Sequence, residues 1–233
     1  MTVRLERDGP VARIVLDRPA RANAYDLALL EALDSALDQV LADRQVGALV
    51  VESTGEGAFC GGADLAQMQQ ADPLDALDLR SQAVFDRIAR APLVSVAAIH
   101  GAAVAGGFEL ALACDLRIAS PKARFSLPET ALGLIPSAGG CTRLTRLVGP
   151  ARAKQLILAG MDLDARTALD WGLLAALVPE PRQEAQVWAA RIAGRDRVAL
   201  RLAKQVIDLA DDKPSLQAER VAEALLYSRK QQG

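Results

Sequence analysis

The chain opens on two stretches in which hydrophobic and polar residues alternate, VRLERD and VARIVLD, with Gly9-Pro10 between them. A period of two puts successive side chains on opposite faces, so both read as strands, and Asp8-Gly9-Pro10 reads as the turn of a hairpin. The stretch RPARANA breaks the second strand. Over residues 26–41 the period becomes helical: Leu29, Leu30, Leu33, Leu37, Val40 and Leu41 share one face, behind Asp26 as a candidate N-cap. Residues 43–45 make a short connection to the strand GALVVEST.

Further along, GEGAFCGGADL reads as a glycine-rich loop that enters a helix near Met68. Residues 69–81 are polar and contain Pro73, and they are expected to be the least ordered part of the middle. A helix is predicted over residues 78–90 and an apolar strand over residues 93–99. Then come a glycine pair, a short buried helix at ELALAC, and two short strands at LRIAS and ARFSL. After Pro150 the pattern is helical to the end. Strand and helix alternate through the first two thirds, so the fold class is α/β, with residues 1–148 as the core and residues 149–233 as a helical C-terminal subdomain.

Composition narrows the function. With 233 residues, 51% of them hydrophobic, the chain can bury a sizeable core. Its 27 Lys plus Arg against 29 Asp plus Glu give a net charge of −2, without the basic field that a nucleic-acid partner requires. The three cysteines show no paired spacing, which suits reduced thiols in the cytoplasm. His100 is the one histidine, so neither a His-rich metal site nor a triad with a spare base is expected. At the end of an apolar strand, His100 reads as a structural residue. The N-terminal residues lack the apolar core of a signal peptide, and no apolar run reaches the roughly 18 residues of a membrane span. No membrane partner is expected.

Candidate chemistry starts with Glu109, a carboxylate two residues after Gly106-Gly107 on an otherwise apolar element. Burying such a group is costly unless a partner or a task compensates it. The stretches AFCGGADL and VAGGFEL each carry glycines ahead of a helix, where backbone N–H groups lack intrahelical acceptors. Glycine pairs at such places ordinarily serve close packing or a tight turn. Two such turns aimed at one point would form an oxyanion hole. A second acid, Glu129, follows Pro128 in an apolar context, with no cationic residue after it until Arg143. Two isolated acids near one site invite unequal proton affinities.

Together, AFCGGADLAQM, HGAAVAGGFELALACDLRIAS and ARFSLPETALGLIPSAGGCTRLTRLVGPARAKQLILAG resemble the three signature regions of the enoyl-CoA hydratase/isomerase (crotonase) superfamily, in order and spacing. The resemblance runs from the hairpin to about Tyr227. It implies a crotonase-like fold of repeated ββα units with a helical C-terminal trimerisation subdomain, and a hydro-lyase that adds water to a 2-enoyl-CoA. It implies that Ala63 and Gly106 supply the N–H groups for the thioester oxygen, that Glu109 activates water, and that Glu129 exchanges the proton at the α-carbon. Arg21, Ala22, Gly61, Asp64 and Leu65 would line the CoA end, and the backbone of Ser137 would help hold the catalytic water. The resemblance implies no metal and no cofactor beyond the CoA of the substrate, and a homotrimer or homohexamer.

The chain departs from the family pattern at three places. Ala66 stands where many relatives have a CoA-reaching lysine, PSAGG replaces PGAGG, and the chain stops at LLYSRKQQG where relatives carry a further helix. Isomerase, acyl-CoA lyase and thioester hydrolase chemistry stay open as alternatives, because one oxyanion hole serves them all. A dinucleotide-binding reading fails, since Gly101 to Gly107 contains no G-x-G-x-x-G and the strand LRIAS ends in Ser120 in place of an acid.

Overall fold

The computed structural model describes residues 2–64 and 79–209. Strands β1 (Val3–Asp8) and β2 (Val11–Leu16) form the expected hairpin, with Val3 opposite Leu16 and Asp8 opposite Val11. Gly9 sits at the turn with φ of 55°, in the left-handed region that glycine enters without a Cβ penalty. Asp26 then caps helix α1 (Leu27–Ala42) as the pattern predicts, its side chain accepting the Leu29 N–H at 2.8 Å.

Three strand–strand–helix units follow. The first strand of each unit joins a six-stranded sheet, and the second joins a four-stranded one. In the first unit these are β3 (Ala48–Ser53) and β4 (Ala58–Cys60), with helix α2 (Arg80–Ala89) beyond. The next is β5 (Val94–Ile99), β6 (Ala102–Val104) and helix α3 (Gly106–Ala113). The last is β7 (Leu116–Ala119), β8 (Arg124–Ser126) and helix α4 (Gly140–Ile157). Then come β9 (Leu163–Asp164), α5 (Ala165–Asp170), β10 (Ala176–Leu177), α6 (Pro181–Ala193) and α7 (Arg197–Asp208). The large sheet runs β1-β2-β3-β5-β7-β10, parallel from β2 onward, and the small sheet runs β4-β6-β8-β9.

Strand β3 is buried along its whole length because both faces of the large sheet are covered. Leu49 and Val51 face the main core with α1 and α3, whereas Ala48 and Val50 pack under Ala185 and Ala189 of α6. Its continuous apolar run is the sequence signature of that double coverage.

Several expectations are corrected. Ala58–Cys60 is a strand where a glycine-rich loop was expected, and Ala102–Val104 is a further strand, pairing in parallel with it and with β8. The residues after Pro150 are not all helical: β9 pairs with β8, and β10 pairs with β7, so this stretch contributes a strand to each sheet. Elements of two or three residues are too short to show a period. The helix bends at Gly149 (φ 79°, ψ 162°), followed by Pro150, where the helical subdomain was expected to begin. The helix expected near Met68 and the last helical stretch of the sequence lie outside the described residues. Among the described residues, no helix is long and apolar enough to cross a membrane.

Candidate active site

The turn after β4 is built by pairing with the chain ahead of α1. Gly61 N–H donates to the Ala22 carbonyl at 2.9 Å, Tyr25 N–H to the Gly62 carbonyl at 2.8 Å, and Asp64 N–H to the Tyr25 carbonyl at 2.8 Å. Ala63 is thereby held in register with Tyr25 while its own N–H has no acceptor among the described residues. Gly62 takes φ of 92°, and a Cβ on it would stand 3.3 Å from the Gly106 nitrogen. The two glycine turns are thus in contact.

At the other turn, Gly106 and Gly107 open α3, so their N–H groups have no intrahelical acceptor. A Cβ on Gly107 would lie 2.0 Å from the Cys60 carbonyl oxygen, and one on Gly106 would lie 2.0 Å from Tyr25 Oη. Ala105, just ahead, adopts φ 51° and ψ −129°, a strained backbone for a residue with a side chain. The packing reading of the glycine pairs holds here, and that close packing brings the Gly106 N–H beside the Ala63 turn.

Glu109 lies in the first turn of α3 and is 3% exposed. Its Oε1 accepts the N–H groups of Ala138 and Gly140, both at 2.8 Å. A Cβ on Gly140 would meet that oxygen at 2.8 Å, so glycine is needed there for the approach. Burial pushes the Glu109 carboxyl up to about 7, helped by the nearby Glu129 charge and opposed by the two N–H donors and Arg143. Glu129 begins a short 3-10 turn (Glu129–Leu132), anchored where Thr130 Oγ1 donates to the Ile157 carbonyl. It is buried, and among the described residues neither of its oxygens has a hydrogen-bond partner. Burial raises its proton affinity as well.

The structure brings together Glu109, Glu129, Ala63 and Gly106. Ser137 sits in the same loop as the Glu109 donors, with its carbonyl accepting Gln82 Nε2 at 2.7 Å. Ala22 (φ 52°) lies against Gly61, Arg21 is exposed beside them, and Asp64 pairs with Arg18 at 3.3 Å. Leu65 lies outside the described residues. Arg18 also reaches Asp26 and the Ala24 carbonyl, so it ties the turn together, leaving Arg21 as the solvent-facing cation. His100 is buried, and desolvation lowers its proton affinity to about 4, with Arg182 reinforcing this. Among the described residues neither of its ring nitrogens has a hydrogen-bond partner.

Sequence reasoning missed Tyr25, Asn23, Gln82 and Arg143. Buried Asn23 bridges the Arg18 N–H and the Thr54 and Ala58 carbonyls. Tyr25 packs edge-on against Phe85, and its hydroxyl shares a hydrogen bond with Ser81. A tyrosine and an asparagine just ahead of a capped helix were the available signal.

The sequence profile of the enoyl-CoA hydratase/isomerase family matches residues 6–233. A Rhizobium meliloti protein named probable enoyl-CoA hydratase is 41% identical over 209 residues, which are 89% of this chain and 81% of that protein. The crystal structure of an enoyl-CoA hydratase from Bacillus anthracis superposes with a TM-score of 0.92 at 35% identity, over 96% of this chain and 90% of that one. A Thermobifida fusca chain solved in complex with CoA matches with a TM-score of 0.90 at 30% identity, over all of this chain (100%) and 95% of that one.

Proposed function

The chain belongs to the enoyl-CoA hydratase/isomerase family, and from that premise we propose that it adds water reversibly across the 2,3 double bond of a 2-enoyl-CoA to give a 3-hydroxyacyl-CoA. One observation carries the reading: two buried carboxyls with unlike hydrogen bonding, Glu109 and Glu129, accompany two turns whose N–H groups at Ala63 and Gly106 have no acceptor among the described residues.

Attack of water at the β-carbon builds negative charge on the thioester oxygen, and preorganised N–H donors stabilise it as it appears. Glu109, fastened by two N–H groups that favour its carboxylate form, takes the proton from water as the new C–O bond forms. Glu129, without such donors and with its proton affinity raised by burial, delivers its proton to the α-carbon. The Glu109 proton then passes back to Glu129, through solvent or directly, to reset the site. One water is added and no electrons change hands, so the reaction itself calls for no redox cofactor, and CoA is part of the substrate.

Arg21 would meet a CoA phosphate, with the backbone of Ala22, Gly61, Asp64 and Leu65 along the same end, and Ser137 beside the catalytic water. Assembly would be a homotrimer or homohexamer: Leu132, Leu134, Ile135, Leu158 and Ile207 are all exposed, more apolar surface than a lone protomer readily leaves in water. The free thiols of Cys60, Cys114 and Cys141 suit the cytoplasm.

The unpartnered oxygens of Glu129 also suit a second reading, an enoyl-CoA isomerase that shuttles one proton between carbons. Incubation with short, long, branched and aromatic 2-enoyl-CoA esters separates the two. Loss of the conjugated thioester absorbance is expected with at least one of them. Inertness toward all of them, with conversion of a 3-enoyl-CoA to its 2-enoyl isomer, would replace the hydratase by the isomerase.

A further inference from the structure

Helix α2 meets the loop that holds Glu109 at two points one helical turn apart. Gln82 Nε2 donates to the Ser137 carbonyl at 2.7 Å, and Asp86 pairs with Arg143 at 3.3 Å. The same Arg143 donates through Nη1 to the Ala138 carbonyl at 2.8 Å. Its guanidinium also fills the space beside Gly139 (φ 106°), where a Cβ would stand 2.0 Å from Nη1.

The peptide bond that joins Ser137 to Ala138 has its oxygen on Gln82 and its N–H on Glu109 Oε1. A donor on the oxygen of a peptide polarises its N–H, so the two hydrogen bonds strengthen one another. The next carbonyl, that of Ala138, lies between the two donors and is the one that Arg143 caps. Among the described residues, the Gln82 and Arg143 side chains bond these carbonyls and Asp86 and make no hydrogen bond to Glu109 itself.

We propose that Gln82 and Arg143 are positioning residues for hydration, which hold the two N–H donors on Glu109 and so keep its carboxylate available as the water-activating base. The proposal rests on the hydratase reading above. The charged and titratable groups facing Glu109 are few. Glu129 comes from the 3-10 turn, Arg143 and Cys141 from α4, and Tyr25 from the segment before α1. Asp86 of α2 and Arg90 just past its end act on Arg143 in turn. Arg143 is the cation of that set, and its removal both loosens the donors and deletes a positive charge. Each effect favours the protonated carboxyl.

The test follows the Glu109 carboxyl directly by isotope-edited carbon NMR in the ligand-free protein, alongside the pH profile of hydration. In Arg143→Met the Glu109 midpoint should move up by about half a pH unit or more, with a smaller move in Gln82→Ala. The acid limb of kcat/KM should move with it, so that the variant recovers activity at high pH while KM changes severalfold at most. Arg143→Lys, which keeps charge but loses the two-sided reach, should fall between. A bracing role without influence on the carboxyl would instead lower activity equally at every pH.

Gln82 is an exposed helix residue, so its alanine variant should fold even if Arg143→Met does not. An unmoved Glu109 midpoint in a folded Gln82→Ala protein, with Arg143→Met unfolded or likewise unmoved, overturns the proposal. A wild-type protein that hydrates nothing, while the midpoint still moves in the variants, would instead remove the hydratase reading and leave the positioning role standing.

Discussion

Glu129 lies near enough to Glu109 for its charge to raise Glu109's proton affinity, yet the two carboxyls meet burial in opposite ways. Glu109 Oε1 accepts two backbone N–H groups at 2.8 Å, whereas the Glu129 oxygens have no partner among the described residues. A carboxylate is stabilised by N–H donors and a neutral acid is not. The asymmetry suits the base and acid roles proposed for the pair, since Glu109 is held by the donors that an ionised carboxyl needs.

The pH profile of kcat/KM should therefore be bell-shaped. Its acid limb should rise through about pH 7 as Glu109 ionises, and its alkaline limb should fall as the proton is lost from Glu129, whose affinity burial raises. Because the two groups interact, the limbs report the pair as a unit. Steady-state hydration rates from pH 5.5 to 9 check this. A rate that is flat across the acid side would mean that Glu109 is not the ionising base.

Glu109→Gln should trade activity for stability, and the gain should depend on pH. The folded protein raises the carboxyl from 4.5 to about 7, so keeping it ionised in the fold costs about 3 kcal/mol above pH 7. With its folded value above its unfolded one, this group favours folding most below pH 4.5 and loses that contribution as pH rises through 7. The amide variant is free of that loss. Its Tm should exceed the wild type's at pH 8, the advantage should shrink toward pH 4.5, and kcat should fall by ~10²-fold or more. An equal Tm difference at both pH values would contradict the linkage.

Much of this site was legible because it was written locally. The helical stripe of α1, the Asp26 cap and the lone acid after Gly106-Gly107 each depend on residues a few positions apart. Of the small sheet only β8 was legible, as the strand ARFSL: β4 and β6 have three residues each, and β9 has two. Such lengths show no period. The braces of the site escaped for a different reason. Gln82 and Arg143 bind backbone carbonyls, and a carbonyl acceptor leaves no trace in the type of residue that carries it. Helix α7 shows a third limit: its inward, buried residue is Lys204, which bonds Asp115 and the Leu93 carbonyl, while Ile207 points outward.

That outward side leads to a prediction on assembly. Exposed Ile207 on α7, with exposed Leu132, Ile135 and Leu158 beside the Glu129 turn, should be covered by other protomers. Light scattering at micromolar concentration should give three or six times the 24.7 kDa chain mass. Paired substitutions such as Leu158→Glu with Ile135→Glu should shift the mass downward. A monomer at all concentrations would mean that this surface is simply solvated.

Gly106 provides the sharpest test of the oxyanion hole, because alanine keeps the N–H donor and changes only where it points. The added Cβ would lie 2.0 Å from Tyr25 Oη and 2.7 Å from Cε1 and Cζ. The ring cannot easily yield, since its edge packs on Phe85, and the Tyr25 backbone is bonded to Gly62 and Asp64 on either side of Ala63. Relief must move the first turn of α3 or the Ala63 turn, and either motion misaligns a donor. Gly106→Ala should lower kcat by ~10²- to 10³-fold with a much smaller change in thioester affinity. A bound dienoyl-CoA, whose absorbance shifts to longer wavelength when its carbonyl is polarised, should lose most of that shift. Adding Tyr25→Leu to Gly106→Ala removes the atoms in conflict and should recover part of both kcat and the shift, although Tyr25→Leu alone should cost stability through the lost Phe85 contact. If Gly106→Ala keeps the full spectral shift and a kcat within about threefold of the wild type, well short of the loss expected for a missing donor, then the Gly106 N–H does not hold the thioester oxygen.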